Sequence, residues 1–442
     1  MEKQMMKQKF GLPPMPPIAS GSAAKRKNLI RKKDYSPLHW DKYFKSKHDV
    51  VTASGDSFRV YECGEVGPVL LFLHGGGFSA LSWALLSAEV TTLVKCRCVA
   101  FDLRGHGDTV TSDDTDLSAE RMSSDVGDVV SSLFKDDPPP IILVGHSMGG
   151  AIAVHTAVRG LIPTLIGIAV IDVVEGTAMD ALTSMQSFLR GRPKIFDTME
   201  KAIEWAVRSG QIQNLESARV SMVGQLKSAE SNETGTEELE HSHDSQTDII
   251  AEELEEDGED EDSSSGSNHP YPLIRVQSPS SPSIQPSSTS GFALKLPSLP
   301  TPKIHKYTWR IDLSKTEKFW KGWFEGLSQK FLSCPAPKML ILAGPDRLDK
   351  DLTIGQMQGK FQLNLLPQCG HAVHEDLPDK VADILANFML RHRVTEPLAN
   401  FQRSLLSKDH AADSKLEPDH PAWVDEDLKG RKCTGLKCCK LA

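Results

Sequence analysis

The 442-residue chain has no apolar run long enough to cross a bilayer, so a soluble protein with no membrane partner is expected. It also has no Cys-x-x-Cys pair and no recognisable secretory leader. Its eight cysteines are therefore not read as a disulfide framework or a thiolate metal site. Cys63, Cys96, Cys98, Cys334 and Cys369 fall in apolar or strand-like contexts and read as reduced, mostly buried thiols of an intracellular protein. Positive charge is in deficit: the formal net charge is -9, which disfavours nucleic acid as a partner. Nine acidic residues crowd the eleven positions 252–262, and the remainder of the chain is formally neutral.

What is present is an α/β pattern interrupted by polar stretches. Residues 1–36 are rich in proline, glycine and basic side chains, lack apolar periodicity, and are expected to be disordered. Two basic clusters there, Lys25-Arg26-Lys27 and Arg31-Lys32-Lys33, read by default as solvated tail. Their sharper reading is nuclear import, which would add the nucleus to an expected cytoplasmic location. Residues 37–227 form the first part of a folded core, and 303–393 its second part. Between them, residues 228–302 carry the acidic run and a Ser/Pro tract with Ser278-Pro279 and Ser281-Pro282. With only Tyr271 and Phe292 as aromatics, this segment is expected to be a disordered insertion, since little apolar burial would offset its ordering entropy. The Ser-Pro sites are candidate phosphorylation sites, and residues 249–252 a candidate docking peptide. Residues 394–442 read as a polar tail, its Cys433, Cys438 and Cys439 favoured as free thiols.

Within the core, buried strands are expected at 69–73, 96–101, 140–144, 164–171, 337–343 and 361–366. The alternating stretch 58–62 suits an edge strand. A helix over 118–134 has Ser118 as cap and Glu120 in its first turn, and another closes the domain at 380–391. Alternation of strand and helix predicts a doubly wound, mostly parallel sheet with its chemistry at the strands' C-terminal edge. Amphipathic helical patterns over 178–226 suit a helical cap inserted above that edge.

The strand at 140–144 runs into Gly145-His146-Ser147-Met148-Gly149. This Gly-x-Ser-x-Gly pattern arises by chance roughly once in seven chains of this length. The apolar strand before it and the small-residue helix after it favour a nucleophile elbow, with Ser147 at its apex. The strand at 69–73 ends in His74-Gly75-Gly76-Gly77, whose main-chain N–H groups around Gly76 and Gly77 suit one side of an oxyanion hole. The N–H of Met148 would supply the other side. A base must reach Ser147 from a late loop; His371, directly after Gly370, is preferred over His374. Two acids could orient it: Asp346 after the penultimate strand, slightly favoured by pattern, or Asp172 after the strand that follows the nucleophile's helix.

His74-Gly-Gly-Gly77, Asp102-Leu-Arg-Gly105, Gly145-His-Ser-Met-Gly149 and Gly370-His371 resemble the α/β-hydrolase superfamily. Longer blocks at 73–83, 145–157, 171–182, 215–224, 346–359 and 368–376 are similar, more narrowly, to the phosphatase methylesterases. That resemblance covers most of 37–227 and 303–397 and implies the α/β-hydrolase fold. It implies a carboxylesterase that removes the methyl ester from the C-terminal leucine of the type 2A phosphatase catalytic subunit, regulating holoenzyme assembly and activity. It places the triad on Ser147, Asp172 and His371, against the pattern's preference for Asp346. No metal or organic cofactor is implied. The expected partner is that catalytic subunit, with its scaffold or regulatory subunits, and the protein is expected to act as a monomer. The competing readings are a general esterase for small apolar esters and a non-catalytic phosphatase-binding inhibitor or scaffold. The Ser/Pro tract and the long tail depart from the family's pattern and bear on regulation, not chemistry.

Overall fold

The computed structural model describes residues 33–242, 306–344, 348–399 and 401. The unit that carries the site begins at Tyr35. Its centre is an eight-stranded sheet built from β1 (Ser46–Val51), β2 (Ser57–Cys63), β3 (Val69–Leu73), β4 (Arg97–Phe101), β5 (Ile141–His146), β6 (Leu165–Ile171), β9 (Lys338–Leu342) and β10 (Gln362–Leu365). The spatial order is β1-β2-β4-β3-β5-β6-β9-β10. The first two pairings, β1 with β2 and β2 with β4, are antiparallel. All later pairings are parallel.

β3 and β6 carry no polar side chain because helices cover both sheet faces. Every residue of β3 is buried, and its side chains alternate between two cores. Leu70 and Phe72 join Cys98, Val144 and Ile171 on one face. Leu71 and Leu73 join Val99, Leu143 and Val170 on the other. The first face is covered by α1 (Ala84–Leu93), α6 (Leu215–Ser221) and α12 (Pro378–Arg391). The second is covered by α2 (Ala119–Phe134), α3 (Met148–Val158), α8 (Glu317–Phe324) and α9 (Leu327–Ser333). α2 begins as its sequence signals: the Ser118 hydroxyl accepts the Arg121 N–H, and Glu120 occupies the first turn. Between β6 and β9 the chain forms α4 (Glu175–Gly191) and α5 (Met199–Ser209), which rise over the sheet's C-terminal edge.

Three boundaries differ from the sequence expectation. β2 is not an edge strand, since β1 lies outside it, with Val50 opposite Phe58. β1 escaped notice because only Val50 among its six residues is buried, leaving no alternation to read. The segment expected to be disordered from 228 is structured as far as 242. There β7 (Leu226–Ser228) pairs with β8 (Tyr307–Trp309), and α7 follows over 235–242. Long-range hydrogen bonds tie these polar residues to the fold, and Leu239 packs against the core. Tyr307 donates to Glu238 (2.6 Å), and the Trp40 indole donates to Glu240 (3.1 Å). The expected tail from 394 likewise runs back along the fold, where Leu398 N–H donates to Leu93 O (2.8 Å) and Phe401 is buried. The basic clusters up to Lys32, the acidic run, the docking peptide, the Ser-Pro sites and the three terminal cysteines lie outside the described residues.

Candidate active site

The sheet's C-terminal edge is where the candidate residues meet. β5 turns into α3 through Ser147, which sits at φ 51° and ψ −120°. This is the strained apex of a nucleophile elbow. The turn is possible only with hydrogen at the flanking positions. A Cβ on Gly145 would lie 2.3 Å from Gly149 O, and one on Gly149 would lie 2.3 Å from Leu73 O. The Ser147 N–H is tied to Ile171 O (2.9 Å), so the apex is fixed by the neighbouring strand.

His371 is presented by the loop after β10. Two anchors hold that loop. The Gly370 N–H donates to Asp376 Oδ2 (2.7 Å), whose other oxygen accepts the Gln213 N–H (2.7 Å). Buried His146, at the end of β5, donates from Nε2 to the His371 carbonyl (2.9 Å). The His371 ring then stands with Nε2 2.9 Å from Ser147 Oγ and Nδ1 2.7 Å from Asp172 Oδ2. Asp172 ends β6 at φ 52°, its side chain fully buried. Its second oxygen accepts the Ala343 N–H (3.0 Å). Both oxygens are thus engaged, one in orienting the imidazole and the other in fixing the carboxylate. The pattern's preferred acid, Asp346, lies outside the described residues, and the acid position is filled by Asp172 from the strand next to β5.

The glycine loop after β3 corrects one expectation. The Gly77 N–H donates to His106 Nε2 (3.0 Å), so it does not face an oxyanion. Gly76 is the loop residue beside Met148: a Cβ there would lie 3.6 Å from the Met148 sulfur. Met148 opens α3, so its N–H is among those a helix leaves without an internal partner. The two candidate donors are therefore Gly76 and Met148.

His106, which directly follows the Asp102–Gly105 block, carries no role in the sequence reading. Its Nδ1 donates to Arg104 O (2.9 Å), and Arg104 is itself clamped by Asp56 and Asp125 (2.7 Å each). His74 works the same way, accepting the Leu103 N–H at Nε2 (2.9 Å) and donating to Gly75 O (2.8 Å). Both imidazoles serve as neutral acceptors. Burial drives the His74 pKa well below the ordinary value and brings His106 down to about 4. His374, the competing base, is also buried, its ring 4.1 Å from Trp83, and burial takes its pKa down to about 3. It is a packing residue, whereas the His371 side chain is half exposed.

Above the serine lies a cavity of about 760 Å³. Gly76, Phe78 and Met148 line its base; Ala178 and Met185 of α4 and Trp320 of α8 are among its apolar walls. The aromatic cluster around Trp320 and Trp323 belongs to the core and also shapes the pocket.

The fold and the Ser–His–Asp arrangement define an esterase of the α/β-hydrolase class, and residues 70–235 and 262–384 match the Alpha/beta hydrolase family. A solved structure of E-2-(acetamidomethylene)succinate hydrolase has the same fold, at 16% identity and a TM-score of 0.51, covering 78% of this chain and 98% of that one. The sequence is 55% identical over 399 residues to protein phosphatase methylesterase 1 of Bos taurus (88% of this chain, 97% of the relative). It is 56% identical to the Homo sapiens protein of that name (88% and 95%). The chain belongs to the protein phosphatase methylesterase 1 family.

Two outcomes follow from this geometry. Asp172→Asn should lower kcat/KM by about three to four orders of magnitude, because the wrong tautomer of His371 then faces Ser147. Asp346→Asn should stay close to wild type; steady-state ester hydrolysis by both variants separates the two acids. The second concerns pH. His74, His106, His146 and His374 all have pKa values pushed down by burial, so the unfolded chain binds their protons more readily than the folded one. The stability they confer is present above pH ~6.5 and is lost as pH falls toward their folded values, at about 1.4 kcal/mol per pH unit for each group. Urea unfolding from pH 7 to 4.5 should show this fall. His106→Gln, which keeps an acceptor for Gly77, should make it shallower.

Proposed function

We propose that the protein hydrolyses the methyl ester on the C-terminal leucine of the type 2A protein phosphatase catalytic subunit, with Ser147 as nucleophile. The observation that carries the reading is the unbroken relay Ser147–His371–Asp172, with contacts of 2.9 and 2.7 Å. His371 takes the Ser147 proton as Oγ attacks the ester carbonyl. The developing oxyanion is met by the N–H groups of Gly76 and Met148, each such donor supplying about 10²–10³ in rate. His371 returns the proton to the departing methoxide, and methanol leaves. Water, deprotonated by the same imidazole, then attacks the acyl-serine and releases the C-terminal carboxylate. His371 returns the proton to Ser147. Asp172 stays ionised throughout and stabilises the imidazolium.

The choice of a phosphatase as substrate is supported by the relatives' shared name and the high identity to them. The leucine end is supported by the apolar walls of the cavity over the serine. Cys63, Cys96, Cys98 and Cys334 are buried free thiols, which favours a reducing compartment such as the cytoplasm or nucleus. A purely binding role gives no reason for the relay to be aligned within hydrogen-bond distance.

Purified protein should demethylate the intact methylated phosphatase, and Ser147→Ala should abolish turnover, as read by loss of the methyl group from the phosphatase C-terminus. Full turnover by Ser147→Ala would remove the assignment of the nucleophile. Small apolar esters cleaved far faster than the methylated protein would favour the general-esterase reading.

A further inference from the structure

One wall of the cavity is a single face of α4. Ala178, Ala181, Met185 and Phe188, spaced three or four residues apart, all line it, and Arg192 lines it just past the helix's end. The cavity thus runs lengthwise along the helix. Asp172 lies at one end, three residues before α4 begins, and Arg192 at the other. Thr177 and Arg192, both lining, are separated by about 22 Å of helical rise. A small ester would fill only the end beside Ser147.

Arg192 is the one cationic side chain among the described residues that line this cavity. Its guanidinium carbon lies over the Trp309 ring, 3.6 Å from the centroid, and its Nε is buried with no hydrogen-bond partner. Among the described residues no carboxylate forms an ion pair with it, whereas Arg59 and Arg104 are each held by two aspartates. Burial alone acts on its pKa, lowering it to about 10, so it remains charged at neutral pH. A desolvated cation without an anion is costly, and one facing a ligand cavity is complementary to an anionic ligand. Phe188, on the same wall, is 60% exposed, an apolar surface that a ligand along the groove would cover.

We propose that the groove under α4 holds the extended C-terminal segment of the protein substrate, and that Arg192 pairs with an acidic side chain upstream of the esterified residue. The inference rests on the methylesterase reading above. An extended chain advances about 3.3–3.6 Å per residue, so the acidic position falls within about six residues of the ester. The product carboxylate does not serve as the partner, because it forms at Ser147, at the opposite end of the groove. With one face against Trp309, the guanidinium is restricted in its motion, and its planar fork suits two parallel N–H···O bonds to a carboxylate.

The test uses synthetic peptides ending in a leucine methyl ester, with a single Glu moved through positions one to seven upstream in an otherwise neutral background. With the full-length wild type, one position or two adjacent ones should raise kcat/KM about tenfold over the all-neutral peptide. Arg192→Gln should erase that preference. Arg192→Glu should reverse it, so that Lys at the same position becomes the best substrate, a gain that an unfolded variant cannot give. Wild-type turnover independent of where Glu stands, or the same Glu preference in Arg192→Gln, overturns the assignment and leaves the methylesterase reading intact. Failure to hydrolyse any of the peptides or the methylated phosphatase, with small esters still cleaved, overturns the methylesterase reading and the assignment with it.

Discussion

The site depends on how closely the backbone of α3 can approach β3. Gly149 sits against the carbonyls of Leu73 and His74, closer than any Cβ would permit. That approach sets Ser147 at the apex, turns the first N–H groups of α3 toward the glycine loop, and brings Gly76 beside Met148. The elbow is strained at Ser147, and the strain persists because the surrounding sheet over-determines it. β5 is flanked by β3 and β6, and the Ser147 N–H is bonded to the end of β6. Asp172, the residue directly after β6, is therefore brought beside the elbow by strand pairing. Its own strained backbone carries the carboxylate toward the loop where His371 waits.

The histidines around this edge divide into two kinds by solvation. His74, His106, His146 and His374 are buried and kept neutral, and the first three use that neutrality to fix main-chain groups: Leu103, Gly77 and the carbonyl of His371. His371 alone among the five is half exposed and has a carboxylate on one nitrogen and a hydroxyl on the other. The buried rings act as spacers and hydrogen-bond partners that hold the loops still. The exposed one is left to exchange protons. Residues of identical chemistry thus take different work from burial and partner alone.

Most of this architecture was legible in the sequence because its signals were local. β3, β5 and β6 are runs of apolar residues that end in glycine, in the elbow and in an aspartate, and each ends within a residue or two of where it was expected. The elbow and His371 could be placed from their own neighbours. The acid could not: Asp172 and Asp346 both follow buried strands, and only the three-dimensional order of strands decides which reaches His371. Resemblance to a family supplied that choice; pattern alone preferred the other. Gly77 was misread for a similar reason, since its N–H is claimed by His106, 29 residues away. The order of residues 228–242 was hidden because polar contacts such as Glu240 to Trp40 span the chain and leave no periodicity. Arg192 carried no signal at all in sequence, being one basic residue at a helix end.

Burial of Asp172 and the tightness of the elbow make Ser147 the activated hydroxyl at this edge. Reaction with a fluorophosphonate followed by peptide mass spectrometry tests it directly. One adduct is expected, on Ser147, and its rate of formation should drop sharply in Asp172→Asn and in His371→Ala while the folded state is retained. An adduct on another residue, or labelling of Ser147 at an unchanged rate in both variants, would contradict it.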